Sequence, residues 1–299
     1  MNRILVTGVD GFTGRYLTSL LANQGNEVLG ISHNPVSKPV DGLAVSRVCD
    51  LTDAQSLKAI IADLRPNKIA HLAAIAFVSH GVVEDIYRTN VVGSRNLLEA
   101  ASLVGGIDAV LLASSANIYG NRVSGMIDEN VAPDPVNDYA VSKLSMEFIA
   151  GLYRDRLPLI IARPFNYTGI GQSTDFFIPK IINHVKCKSS KIELGNLDVA
   201  RDFSDVRDVV MTYASLLSEP KAIGQTFNIC SGKAHSLGDV ITTIQDISNF
   251  EFSIEINPAF VRENEVRMLW GDRSKLDATI IRQPMRELQE TLTWMLGEN

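Results

Sequence analysis

"ILVTGVDGFTGRYL", residues 4–17, decides the fold. Three apolar residues and a threonine read as a buried strand, and the segment from Arg15 onward reads as the start of an amphipathic helix. Between them stand Gly8, Gly11 and Gly14. Glycine permits a tight turn and lets a pyrophosphate approach the backbone, while a helix N-terminus offers free N–H groups and the positive end of a dipole. The spacing is G-x-x-G-x-x-G, and glycine patterns are weak evidence in isolation. Here the strand before and the helix after supply the context that a dinucleotide-binding loop requires.

Working outward, short β-rich runs alternate with helical ones: "EVLGIS", "SLKAIIADL", "KIAHLAA", "SRNLLEAASLV" and "AVLLASS". That order specifies a parallel sheet with covering helices. Apolar runs such as "AVLLA" fit strands buried on both faces, and the crossovers should be right-handed. The expected class is α/β, a Rossmann-type doubly wound parallel sheet with a smaller C-terminal substrate-binding domain. We assign residues 1–165 to the dinucleotide-binding domain, with 203–232 returning to it as a helix ("DVRDVVMTYASLL") and a strand ("QTFNIC"). Residues 166–202 and 233–299, where the alternation weakens, are assigned to the substrate-binding domain.

Composition narrows the partners. The chain has 299 residues, 45% of them hydrophobic, which is ample for a core. A net charge of −6 with scattered Lys and Arg argues against nucleic acid. No run is long and apolar enough for a membrane, and no secretory leader is read at the N-terminus. Three cysteines, far apart and without metal-type spacing, fit inert thiols in a reducing compartment, so the expected location is the cytoplasm. His71, His80, His184 and His235 are dispersed, and no metal site is expected.

The second strand should end near "GISHN", where an Asp or Glu would hold the ribose 2′-hydroxyl of NAD and repel the extra phosphate of NADP. Ser32, His33 and Asn34 stand there instead. Ser32 and Asn34 can donate hydrogen bonds and His33 can add partial positive charge, which favours NADP(H) over NAD(H). His33 as a plain surface residue is an equal reading, because an arginine would be a clearer sign.

Tyr139 and Lys143 in "NDYAVSKLSMEF" lie four apart on a helix and so share one face. A nearby ammonium is expected to stabilise the phenolate and bring the tyrosine into range as a general acid or base. Ser115, at the end of "AVLLASS", can polarise a carbonyl from the strand end. Such Tyr/Lys pairs also arise by chance on solvated faces; the glycine loop and the strand-end serines give this one weight.

Taken together, "TGVDGFTG", "HLAA", "SSANIYG", "YAVSK" and "ARPFN" resemble the extended short-chain dehydrogenase/reductase family across nearly the whole chain. The resemblance implies a nicotinamide cofactor, a nucleotide-linked sugar substrate, and Ser115, Tyr139 and Lys143 as the catalytic triad. By the same resemblance Gly8, Gly11, Phe12, Gly14, Leu51, Leu72, Ala74 and Asn90 belong to the cofactor site. Asp50 of "CDL" would meet the adenine, Ala73 would line the channel, and Lys143 would hold the nicotinamide ribose. It further implies a homodimer through helices that include the Tyr139 helix, for which "AVSKLSMEFIAGLY" supplies an apolar face.

The later motifs, "ARPFNYTGIGQ", "ELGNLDVARDFSDVRDVV", "FNICSG" and "VRENEV", resemble the reductase branch acting on GDP-linked 4-keto-6-deoxy-mannose, to give GDP-D-rhamnose in nucleotide-sugar biosynthesis. Tyr167 and Ile170 depart from the F-N-H-x-G-P-G-Q pattern of that branch. The resemblance places Asn166, Arg201 and Arg262 on the substrate diphosphate and Glu265 on its ribose, and arginine forks do match phosphate oxygens. In related dehydratases a carboxylate sits two residues before the tyrosine of the "YG" pair. Here that position is Asn117, whose amide can hold a hydroxyl or keto oxygen but cannot exchange a proton at neutral pH. Reduction is therefore expected rather than elimination. A 4-epimerase retaining NAD, a reductase giving the C4 epimer, and a non-catalytic dinucleotide sensor are the competing readings.

Overall fold

The computed structural model describes residues 1–76, 82–121, 124–260, 266–281 and 284–297. Its first part runs β1 (Arg3–Thr7), α1 (Phe12–Asn23), β2 (Glu27–Ser32), β3 (Leu43–Val48), α2 (Ala54–Leu64) and β4 (Lys68–His71). Then come α3 (Val83–Tyr87), a π-helical turn (Arg88–Gly93), α4 (Ser94–Val104), β5 (Ala109–Ala113) and a 3-10 turn (Ala116–Tyr119). The middle comprises β6 (Gly125–Ile127), α5 (Asp138–Gly151), β7 (Leu159–Pro164), β8 (Asn166–Thr168), α6 (Phe177–Lys186), β9 (Lys191–Leu194) and β10 (Ala200–Asp205). The last part holds α7 (Val206–Ser218), β11 (Thr226–Ile229), β12 (Ala234–Ser236), α8 (Leu237–Ser248), β13 (Ser253–Ile256), β14 (Met268–Gly271), α9 (Ser274–Thr279) and α10 (Leu288–Gly297).

The large sheet has seven strands in the order β11-β7-β5-β4-β1-β2-β3, and every pairing in it is parallel. This is the expected doubly wound α/β fold. Its order reverses between β1 and β4, and the crevice at the carboxyl ends of those strands is where such sheets bind ligands. The burial of β1, β2 and β5 explains why they read as continuous apolar runs. One face is sealed by Leu17 and Leu21 of α1 with Val209, Tyr213 and Leu216 of α7. The other is sealed by Leu57 and Ile61 of α2, Leu97 and Leu98 of α4, and Met146 of α5.

A second sheet runs β12-β10-β14-β6, with β8 paired to β10. α6, α8 and α10 pack on it through Ile178, Ile181, Val240, Ile244 and Leu292 around Phe203. α7 and β11 return to the large sheet, where Phe227↔Ala162 and Asn228↔Arg163 are in register with β7. Two crossings have no sequence signal. Gly125–Ile127 joins β14 in the second sheet, a three-residue strand too short to show a period. Leu276 and Ile280, at the end of the chain's path through the second sheet, are buried in the large core. Among the described residues no helix is long and apolar enough to cross a membrane, and no cluster of potential metal ligands occurs.

Candidate active site

The glycine loop leaves β1 at Thr7. Gly8 takes φ +69°, where only glycine is unstrained, and a Cβ there would lie 2.9 Å from the Ala73 Cα. A Cβ on Gly14 would come within 2.1 Å of the Gly8 carbonyl oxygen, so the first turn of α1 closes tightly on the loop. Gly11 begins α1 without a side-chain cap, and the first turn carries no acidic residue. This helix end, shaped by missing side chains and rich in free N–H groups, fits a pyrophosphate. Phe12 is half-buried and stacks on Tyr167 at 6.1 Å, and the Tyr167 hydroxyl meets Thr13 Oγ1 at 2.8 Å, tying the loop to β8.

At the end of β2, Ser32 is buried and its hydroxyl donates to the Asn34 carbonyl at 2.7 Å. Its donor is therefore turned inward, while His33 and Asn34 are exposed. Asp50 accepts the Thr52 N–H at 2.8 Å; that bond holds its carboxyl below the usual range, with a smaller contribution from His33 nearby. Leu51 is buried against the position of Gly93. Leu72, Ala73 and Ala74 leave β4 half-buried, and the Ala73 N–H donates to Thr7 Oγ1 at 3.2 Å. Asn90 sits in the π-helical turn and grips the Ile75 backbone at both N–H (2.8 Å) and carbonyl (3.0 Å). Irregular turns of this kind are frequent at functional sites.

Ser115, Tyr139 and Lys143 converge where β5 ends and α5 begins. Ser115 Oγ accepts the Asn117 N–H at 3.1 Å, which starts the 3-10 turn, and its side chain also hydrogen-bonds Tyr139. Lys143 Nζ donates to the Ala113 carbonyl at 2.7 Å and lies 5.9 Å from the Tyr139 ring centre. α5 itself is capped by Asn137, whose Oδ1 accepts the Ala140 N–H at 2.9 Å.

The electrostatics differ from the sequence expectation. Burial, reinforced by Tyr167, pushes the Tyr139 phenol up, and the Ser115 bond only partly opposes it. Lys143 Nζ, bonded to a backbone carbonyl and 5.9 Å from the ring centre, does not reverse that rise. Tyr139 thus stays protonated through neutral pH, the form that can donate. Burial pulls Lys143 down to about 8. His71, unread as a site residue, lies beneath with Thr7 Oγ1 at 2.7 Å and Ser94 Oγ at 2.8 Å, and burial, with Lys143 adding to it, brings it down to about 3, so it is neutral.

Asn117 is exposed, in the turn after Ser115. On the second sheet, Asn166 is exposed and its Nδ2 donates to the Asp202 carbonyl at 3.2 Å. Arg201 Nη1 donates to the carbonyls of Ala200 at 2.9 Å and Val266 at 2.8 Å, across the β10–β14 pair. Arg262 and Glu265 lie outside the described residues. Glu147 and Arg163 form a paired group behind Lys143 that motif reading passed over; the available signal was the four-residue step from Tyr139 through Lys143 to Glu147.

Known proteins resemble this chain along almost its whole length. The profile of the GDP-mannose 4,6 dehydratase family matches residues 5–295. A GDP-6-deoxy-D-talose 4-dehydrogenase of Aggregatibacter actinomycetemcomitans is 35% identical over 92% of this chain and 90% of its own length. A GDP-6-deoxy-D-mannose reductase of Pseudomonas aeruginosa is 32% identical over 99% of this chain and 96% of its own. Among solved structures, a putative epimerase from Burkholderia cenocepacia superposes with a TM-score of 0.93 at 47% identity, covering 99% of this chain and 97% of that one. RMD from Pseudomonas aeruginosa complexed with NADPH superposes with a TM-score of 0.85 at 29% identity, covering 99% and 98%. With a strand–glycine-loop–helix start, a doubly wound sheet and a profile match along almost its full length, the chain is an enzyme of the GDP-mannose 4,6-dehydratase family, within the extended short-chain dehydrogenases/reductases.

Proposed function

We propose that this enzyme reduces the 4-keto group of a GDP-linked 4-keto-6-deoxy-hexose with NADPH, converting GDP-4-keto-6-deoxy-D-mannose to GDP-D-rhamnose. The observation that carries the reading is the Ser115–Tyr139 pair beside Lys143, with an amide and not a carboxylate at Asn117. A nicotinamide dinucleotide bound over the glycine loop supplies the hydride. Ser115 holds the carbonyl oxygen, and Tyr139, kept protonated by burial, gives its proton to O4 as the C4 carbonyl becomes an alcohol. Lys143 holds the nicotinamide ribose and places positive charge behind the tyrosine. Asn117 offers its amide to the sugar oxygens, and Asn166, Arg201, Arg262 and Glu265 are assigned to the diphosphate and ribose of the substrate.

Two related proteins support a reading in which the product is the C4 epimer or the reaction is an epimerisation: the talose dehydrogenase and the putative epimerase. The deciding experiment is incubation with GDP-4-keto-6-deoxy-mannose and NADPH, following cofactor absorbance and then identifying the sugar by NMR. A rhamnose-type product supports the proposal; a talose-type product replaces it, and tightly copurified NAD with no net reduction makes the enzyme an epimerase.

The cofactor preference has its own test. With no acid after β2, NADPH is preferred. Ser32 is too buried to accept a charge, so the substitution belongs at the exposed Asn34. Asn34→Asp is expected to lower the NADPH/NADH ratio of kcat/KM by at least about tenfold through repulsion of the 2′-phosphate. A wild-type enzyme with the higher kcat/KM for NADH would overturn the preference. A cytoplasmic homodimer completes the proposal. It is supported by the free cysteines and by Phe148 and Leu152, 71% and 74% exposed along α5 and its end.

A further inference from the structure

We infer that Glu147 is a positioning residue for the reaction: one helical turn beyond Lys143, it braces the Ser114–Ser115 corner against β7 through Arg163 and places a negative charge on the helix face that Lys143 shares. The inference rests on the reading of Ser115, Tyr139 and Lys143 as the reacting group. Tyr139, Lys143 and Glu147 follow one another at four-residue steps on α5, so all three face β5. Glu147 Oε1 accepts the Ser114 hydroxyl at 2.5 Å and Arg163 Nε at 3.0 Å, while Oε2 accepts Arg163 Nη2 at 2.7 Å. A planar fork on a carboxylate fixes direction as well as distance. Arg163 Nη1 continues to the Tyr119 hydroxyl at 3.0 Å, and Tyr119 donates to Asn228 Oδ1 at 2.7 Å. The brace therefore reaches the 3-10 turn that carries Asn117 and the edge strand β11.

Stability is a poor reason for this arrangement. Both side chains are only 10% exposed, and a buried ion pair is seldom worth more than apolar residues of the same volume. Its effect on Lys143 is specific. The groups facing that ammonium are Tyr139 and Glu147 from α5, His71 from β4, the Ala113 carbonyl from β5, and Arg163 from β7 behind Glu147. His71 is neutral and Tyr139 is protonated, so Glu147 is the anion among these groups. Burial pulls Lys143 down to about 8 and Glu147 works against that pull. Below this value the ammonium is charged; above it the charge is lost.

The test is the pH profile of kcat/KM for NADPH-dependent reduction in wild type, Glu147→Gln, Glu147→Asp and the double variant Glu147→Gln/Arg163→Met. The double variant removes the cation that Glu147→Gln leaves unpaired, and so carries the test if the single variant does not fold. In both Gln variants the basic limb is expected to move to lower pH. A move of one unit raises the ratio of activity at about pH 6 to that at about pH 8 from roughly twofold to roughly tenfold. Glu147→Asp keeps the charge and should keep the limb. NADPH affinity over the same range, read from protein fluorescence, should shift in the same sense and needs no sugar substrate. A purely structural Glu147 would lower thermal stability and leave both profiles in place, and that result in folded variants would overturn the inference. If Tyr139→Phe abolishes turnover while the profiles stay fixed, only the role of Glu147 falls. If Tyr139→Phe turns over normally, the reading of the site falls first.

Discussion

Tyr139→Phe is expected to lower kcat for ketone reduction by at least ~100-fold while changing NADPH affinity by less than about twofold. The substitution removes one hydroxyl and keeps the ring, so α5 and the Lys143 bond to the Ala113 carbonyl survive. What disappears is the proton donor and the partner of Ser115. Because burial holds the phenol protonated, the wild-type enzyme should supply this proton at an even level through neutral pH, and its decline on the alkaline side should follow Lys143, at about 8. Stopped-flow measurement of NADPH oxidation in the variant checks the first statement; near-normal turnover would remove Tyr139 from the chemistry.

Incubation with GDP-mannose and oxidised cofactor is expected to yield no product lighter by one water. Elimination must take a proton from C5 and deliver one to the C6 hydroxyl, and lack of a placed acid or base usually forfeits ~10² to 10⁴ in rate. Asn117 occupies the position where such a group would stand, exposed two residues after Ser115. Asn117→Glu alone should not confer dehydration, because a second group and the geometry around C6 would still be absent. Mass spectrometry of the wild-type reaction decides: a dehydrated sugar formed at ordinary turnover rates would show that an amide at this position does not bar elimination.

What the chain disclosed in advance was mostly local. The strand, glycine loop and helix of residues 4–17 are contiguous, and their mutual context is what made the fold legible. The step from Tyr139 to Lys143 is set by helix periodicity alone. Contacts that close across distant segments were not legible. The inward hydroxyl of Ser32 follows from β2 being buried on both faces, which a list of donors does not reveal. The raised phenol of Tyr139 depends first on how deep the helix start sits and then on Tyr167, from β8. Arg201 is drawn to the Val266 carbonyl by a pairing of β10 with β14 that no pattern announces. Glu147 and Arg163 meet because α5 covers β7, a fact of topology and not of spacing.

The second sheet draws β6, β8, β10, β12 and β14 from five separate stretches between Gly125 and Gly271, and Leu276 and Ile280 then close the core of the first. On a ribosome the N-terminal half of this chain would emerge with its hydrophobic floor uncovered and its β11 edge missing. Neither sheet can be finished before the other has begun. Pairings of such long sequence separation are reached slowly, and partly formed sheets are prone to aggregate. The threading that brings two sheets to one crevice therefore makes synthesis of the last segments, rather than of the nucleotide loop, the event that completes folding.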